Sequence, residues 1–196
     1  RHTRLQGDWS SDVCSSDLEP YFKKDFCSDS TGYPITDEKK YNTYLLTQEE
    51  IRKFDCGLRG NSDYPEQQAR ETSKPLFIEV IEHVALGGKT LLLEVKSEKK
   101  EYELSQPSPK AFAKLVYNEA KLIPSDVTVY YMSFDPQILE ELHQLDSSIR
   151  TVYLTYSPLK SVKKFLKEIQ IQPTVLGMFY PTISKREVSY LAKQGI

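Results

Sequence analysis

Over the first third of the chain apolar residues stand singly or in twos and threes, without a period, among Asp, Ser, Lys and Glu, and from about Pro75 onward they recur with the periods of regular structure. Leu76, Phe77, Val80, Ile81 and Val84 form one helical stripe behind Pro75, whose missing amide costs nothing in a first turn, and Gly87-Gly88 closes it. Thr90 to Val95 is a compact apolar run. Ser108-Pro109 caps a helix to about Leu122, Val127 to Met132 is a β-branched and aromatic run, and Asp135-Pro136 caps a helix to about Leu145. The alternation repeats as strand Arg150 to Tyr156, helix Ser157-Pro158 to Ile169, strand Thr174 to Phe179 and helix Ser184 to Gln194. The last helix carries a capping box, Ser184 to Glu187, and Gly195 at its end. Four βα units in series predict an α/β fold of parallel strands joined by crossover helices, either an open doubly wound sheet or a closed (β/α)8 barrel. No glycine-rich phosphate loop follows any strand, which favours the barrel. A barrel takes about 250 residues. The expectation is therefore a partial (β/α)8 TIM barrel, cut at both ends.

Upstream of the stripe the chain is polar. Asp29-Ser30-Thr31-Gly32 and Tyr33-Pro34 are turn formers, and the first lacks the alternating ligands and terminal Glu of a calcium-binding EF-hand loop. Thr47-Gln48-Glu49-Glu50 is a capping box ahead of a short helix through Phe54, and Gly57 to Lys74 is polar loop again. Asp8 to Leu18 differs in kind. It reads DWSSDVCSSDL, has no periodicity, contains the chain's one Trp, and matches letter for letter a translated frame of a widely used short-read sequencing adapter. Residues 1–18 are expected to be an artefactual leader with no part in the fold. The expected organisation is that leader followed by one partial barrel domain at 19–196, with an insertion and helices at 19–89 and the four βα units at 90–196.

Composition narrows the function classes. With 26 Lys+Arg against 28 Asp+Glu and 39% apolar residues, the chain is globular and near-neutral. It has no basic stripe of the kind a phosphate backbone requires, so no nucleic-acid partner is expected. No apolar run approaches the roughly 20 residues of a membrane span. Outside the leader there are two cysteines, Cys27 and Cys56, without a Cys-x-x-Cys or a His at ligand spacing, and they read as buried or free thiols. A signal segment preceding the adapter junction would be lost, so its absence carries no information about export.

In a barrel the chemistry sits at the C-terminal ends of the strands. Glu94 and Lys96 stand two apart at the end of an apolar strand, hence on one face. Burying two such charges costs several kcal/mol per ion. A divalent cation and a phosphate would satisfy both; alternatively the strand simply runs out into solvent at Lys96 to Lys100. The spacing leaves both readings open.

The order of motifs resembles the glycerophosphodiester phosphodiesterase family, in particular its bacterial periplasmic branch. Glu19-Pro20-Tyr21-Phe22 resembles the segment that follows a catalytic His. Leu46-Thr47 to Gly57, Tyr64-Pro65-Glu66-Gln67 and Lys74-Pro75-Leu76 resemble the insertion leading to the fourth strand. Leu93-Glu94-Val95-Lys96 and Ser133-Phe134-Asp135 resemble two successive strand ends, and the whole resemblance runs from Glu19 to Ile196. It implies about strands 4 to 7 of the barrel, with strands 1 to 3 and 8 missing. It also implies calcium- or magnesium-assisted hydrolysis of a small glycerophosphodiester to glycerol 3-phosphate and an alcohol. Glu94 is then a metal ligand, Lys96 a phosphate contact and Ser133 a residue of the substrate pocket wall, while Asp135 is the N-cap of the next helix. Met132 stands where the family more often has Gln. The resemblance further implies a periplasmic or cell-envelope location.

The departures bear on activity. The family's His-Arg-Gly, its Glu-x-Asp metal pair and the His of its third strand are absent, as is its C-terminal Trp-Thr-Val-Asn strand, and the adapter stops where the second His would stand. His2 lies in the leader, and His83 and His143 lie in helices and read as solvated or packing residues. No residue of this chain is left to serve as catalytic acid or base, so the parent protein is expected to be active and this chain inactive. The alternatives are a catalytically silent barrel that serves as a binding module, and a phospholipase D-type relative, whose active-site mouth would be apolar. The polar, Tyr-rich stretch from Glu19 to Lys74 favours a soluble substrate.

Overall fold

The structure, a computed structural model, describes residues 21–62, 64–157, 159–179 and 183–196, so the leader expected at 1–18 lies outside the described residues. The chain divides into two units, Arg1–Leu76 and Phe77–Ile196.

In the first unit the capping box forms as read: the Thr47 hydroxyl accepts from the Glu50 amide and the Glu50 carboxylate accepts from the Thr47 amide. The helix it starts, α1 (Gln48–Ile51), is shorter than expected. Its end tightens into three-residue bonds, Lys53 N to Glu50 O and Phe54 N to Ile51 O. Phe22, Phe26, Cys27, Ile35, Phe54 and Cys56 make a small core, with Phe22 stacked on Phe54 at 4.0 Å between ring centroids. The cysteines correct the sequence reading. Both are buried, but they are joined in a disulfide rather than left as thiols. Ser28 and Asp55 pair antiparallel, exchanging amide bonds of 2.6 and 3.2 Å, and this pairing sets their neighbours Cys27 and Cys56 opposite each other. Sequence spacing could not reveal that pairing. The Asp29 turn is closed on itself, its Oδ1 accepting from the Thr31 amide, the Thr31 hydroxyl and the Tyr33 amide.

The second unit begins with α2 (Phe77–His83) and continues as β1 (Thr90–Glu94), α3 (Pro109–Ala120), β2 (Thr128–Ser133), α4 (Pro136–Leu145), β3 (Arg150–Thr155), α5 (Val162–Phe165), β4 (Val175–Met178) and α6 (Lys185–Gln194). All strands pair in parallel in the order β1-β2-β3-β4. Sequential order without a reversal is the winding of a barrel; a doubly wound sheet changes direction at a switch point. One face of the sheet, with Leu91, Leu93, Val95, Val129, Tyr131, Tyr153 and Leu176, forms the core with Ala113, Ile138, Leu139, Leu142, Phe165 and Leu191 of the helices. The other face carries Leu92, Glu94, Tyr130, Met132 and Leu154, all exposed or half-buried. On that face Gly177 lets β4 approach β3, because a Cβ there would lie 2.7 Å from a Leu154 methyl.

Two expected helix starts differ in detail. Ser108 stands at the N-cap of α3 without a side-chain cap bond, and Pro109 alone sets the entry. The helix expected from Ser157 to Ile169 shrinks to α5 and then turns by three-residue bonds. Glu168 is drawn out of it, accepting from Lys160 Nζ at 2.6 Å and from the Tyr153 hydroxyl at 3.2 Å. These tertiary contacts outweigh local helix preference.

Candidate functional site

The C-terminal ends of the strands in the second unit gather the polar residues of interest. Glu94 closes β1 and is half-buried; Lys96 lies two residues on and is exposed. Val95 and Ser97 between and beyond them are buried on the helix side, so Glu94 and Lys96 do share the opposite face with Leu92. Among the described residues no ion pair joins them.

Ser133 ends β2 fully buried; its hydroxyl donates to the Val95 carbonyl at 2.7 Å and accepts from the Asp135 amide at 3.1 Å. It therefore ties β2 to the end of β1. Asp135 is the N-cap of α4 as expected, Oδ1 accepting from the Gln137 amide at 3.0 Å. Its other oxygen has a role that sequence reasoning missed. Oδ2 accepts from the Ser97 hydroxyl at 2.6 Å and from the Tyr102 hydroxyl at 2.5 Å, and Gln106 Nε2 donates to the Ser97 oxygen at 2.9 Å. Burial pushes the Tyr102 phenol well above its usual range, and the bond to Asp135 and that residue's negative charge act in the same direction. Ser97, Tyr102 and Gln106 lie in an aperiodic loop, so nothing in their spacing announces the cluster.

Phe134, Tyr156 and Phe179 each follow the last residue of a strand and are exposed, and the Tyr156 and Phe179 rings lie 5.1 Å apart. The histidines stand elsewhere: His83 is exposed on α2, hydrogen-bonded to the Glu79 carbonyl, and His143 is in the last turn of α4. A calcium ion takes six to eight oxygen ligands. Among the described residues no group of three or more His, Cys, Asp and Glu is placed to hold a metal, so Glu94 by itself does not make a cation site.

No family model and no curated protein matches the chain. Solved structures do. A protein of Silicibacter pomeroyi DSS-3 classed as a glycerophosphoryl diester phosphodiesterase superposes with a TM-score of 0.69 at 17% identity, covering 91% of this chain and 64% of that one. A phosphodiesterase of Oleispira antarctica, solved with the product sn-glycerol-3-phosphate, gives 0.57 at 21% identity, covering 79% and 57%. A protein of Galdieria sulphuraria classed as a glycerophosphodiester phosphodiesterase gives 0.50 at 20% identity, covering 79% and 56%. The fold is that of the glycerophosphodiester phosphodiesterases. The chain spans less than two thirds of the length of each of these proteins. Within the phosphodiesterase fold its parallel sheet corresponds to part of the TIM barrel that the alternation of strands and helices predicts.

Proposed function

We propose that this chain is part of a glycerophosphodiester phosphodiesterase, which hydrolyses a small glycerophosphodiester to glycerol 3-phosphate and an alcohol. One juxtaposition carries the reading: a carboxylate and an ammonium on one face at the end of β1, in a sheet whose fold is shared with a protein solved with sn-glycerol-3-phosphate. In this reading Lys96 holds the phosphate, Glu94 contributes one ligand to a divalent cation, calcium or magnesium, and Ser133 braces the pocket wall. Among the described residues no group of three or more His, Cys, Asp or Glu is placed to complete that cation's ligand set. General acid and base catalysis is worth about 10²- to 10⁴-fold. With both described histidines on helices away from the strand ends, the 196-residue chain is inactive by itself. The buried Cys27–Cys56 disulfide supports an oxidising compartment, the periplasm or cell envelope.

The test is a titration of sn-glycerol 3-phosphate into the chain, followed by backbone amide signals. Binding is expected to shift Lys96 and its neighbours and to weaken in Lys96→Ala, while glycerophosphocholine stays intact with or without calcium or magnesium. Absence of binding sinks the phosphodiesterase reading, and turnover sinks the claim of inactivity. A second reading, a diester carrying a lipid chain, is favoured by the exposed Phe134, Tyr156 and Phe179. Tighter binding of monomeric lysophosphatidylcholine than of glycerol 3-phosphate in the same titration selects it.

A further inference from the structure

An N-cap needs one carboxylate oxygen, and Asp135 Oδ1 serves that purpose. The second oxygen is occupied by two hydroxyls from the loop that follows β1, a bond set that capping does not call for. Asp135 is buried at 7% exposure, and so are Ser97 at 5% and Gln106 at 9%, while Tyr102 is half-buried at the edge of the cluster. A buried carboxylate left short of donors is costly, and hydroxyl and amide donors from two elements are what satisfy this one.

The result is a strap on either side of Lys96. Before it, Val95 N donates to the Met132 carbonyl at 2.7 Å and Val95 O accepts from Ser133. After it, Ser97 is bonded to Asp135, and the Glu98 amide donates to Gln106 Oε1 at 3.1 Å. The loop then closes on itself, Glu103 N donating to the Gln106 carbonyl at 2.7 Å. The Lys96 side chain faces solvent between two anchored, buried neighbours, Val95 and Ser97. A cation whose backbone is fixed beforehand loses less freedom when it meets an anion.

We infer that Asp135, acting through Ser97 and Tyr102, is the positioning residue that fixes Lys96 at the end of β1 for its contact with the phosphate group of the substrate. This rests on the reading of Lys96 as the phosphate contact. The experiment is a double-mutant cycle in the 196-residue chain, Tyr102→Phe against Lys96→Ala, read as affinity for sn-glycerol 3-phosphate. Amide hydrogen exchange at residues 96–98 is measured on the same proteins. Tyr102→Phe keeps the ring and the helix cap and removes only the hydroxyl. It is expected to weaken binding by roughly 3- to 10-fold when Lys96 is present and by less than about 2-fold when Lys96 is absent. Equal losses in both backgrounds overturn the inference, because a merely structural role does not depend on Lys96. If the parent chain binds no glycerol 3-phosphate, or Lys96→Ala binds too weakly to measure, exchange decides. Faster exchange at 96–98 in Tyr102→Phe, with the β3 amides unchanged, upholds the inference where glycerol 3-phosphate binds; where it does not bind, the phosphate contact falls with the phosphodiesterase reading and only the strap on Lys96 stands. Unchanged exchange overturns the inference.

Discussion

Glu103 takes a left-handed backbone, φ 60°, although it carries a side chain. For a non-glycine residue that conformation costs about 1 kcal/mol, and a β-branched side chain suffers more. The loop holds it there by the Glu103 amide to the Gln106 carbonyl, with the Leu104 and Ser105 amides both donating to the Glu101 carbonyl. Strain kept at this position serves to bend the chain so that Tyr102 and Gln106 turn back onto Ser97. Glu103→Gly is therefore expected to leave the urea midpoint unchanged or raise it, while Glu103→Val lowers stability by about 1 kcal/mol or more. Equal stability of the two variants would refute the left-handed assignment. At this scale the sequence was half legible. That Glu94 and Lys96 share a face was legible because strand alternation is a rule of period two. Ser97, Tyr102, Gln106 and the second oxygen of Asp135 were not, because a loop has no period and its contacts are fixed by where β2 happens to end.

Elements whose ends carry their own chemistry were legible before the structure. Both capping boxes, Thr47 with Glu50 and Ser184 with Glu187, formed as read, as did the Gly195 stop, whose φ of 77° only glycine adopts freely. In each box the carboxylate is held below its usual range, first of all by the amide of its capping residue. The helix after β3 was misjudged because Glu168 found partners off its own helix, and the cysteines because only the Ser28 and Asp55 pairing sets them face to face. That cross-link closes a loop with a sequence separation of 29, and its removal is expected to cost the first unit about 3 to 4 kcal/mol. The measurement is amide exchange around Phe22 and Phe54 against that in β3, with and without reductant. A loss of protection shared equally by both units, or found in neither, contradicts a local clasp.

On the scale of the whole molecule, a four-stranded parallel sheet has two lateral edges, β1 and β4, and among the described residues each is paired on one side only. The face away from the helices also leaves Leu92 60% and Val175 40% exposed. Open parallel edges beside apolar surface template further pairing. The isolated chain is expected to self-associate as its concentration rises, seen as a growing sedimentation coefficient and an irreversible melt. A monomer with a sharp, reversible transition runs against this. The same sheet is why the fold was legible at all: alternating strand and helix lengths leave few windings, and an unbroken strand order selects one of them.

The Cys27–Cys56 clasp has a consequence in time. Both cysteines and every residue of the small aromatic core around them precede the first strand of the sheet. The clasp can thus be locked while β1 to β4 are still being made, because the pairing that closes it, Ser28 with Asp55, lies wholly upstream of them. Whatever delays the four strands, the clasp has no need to wait for them.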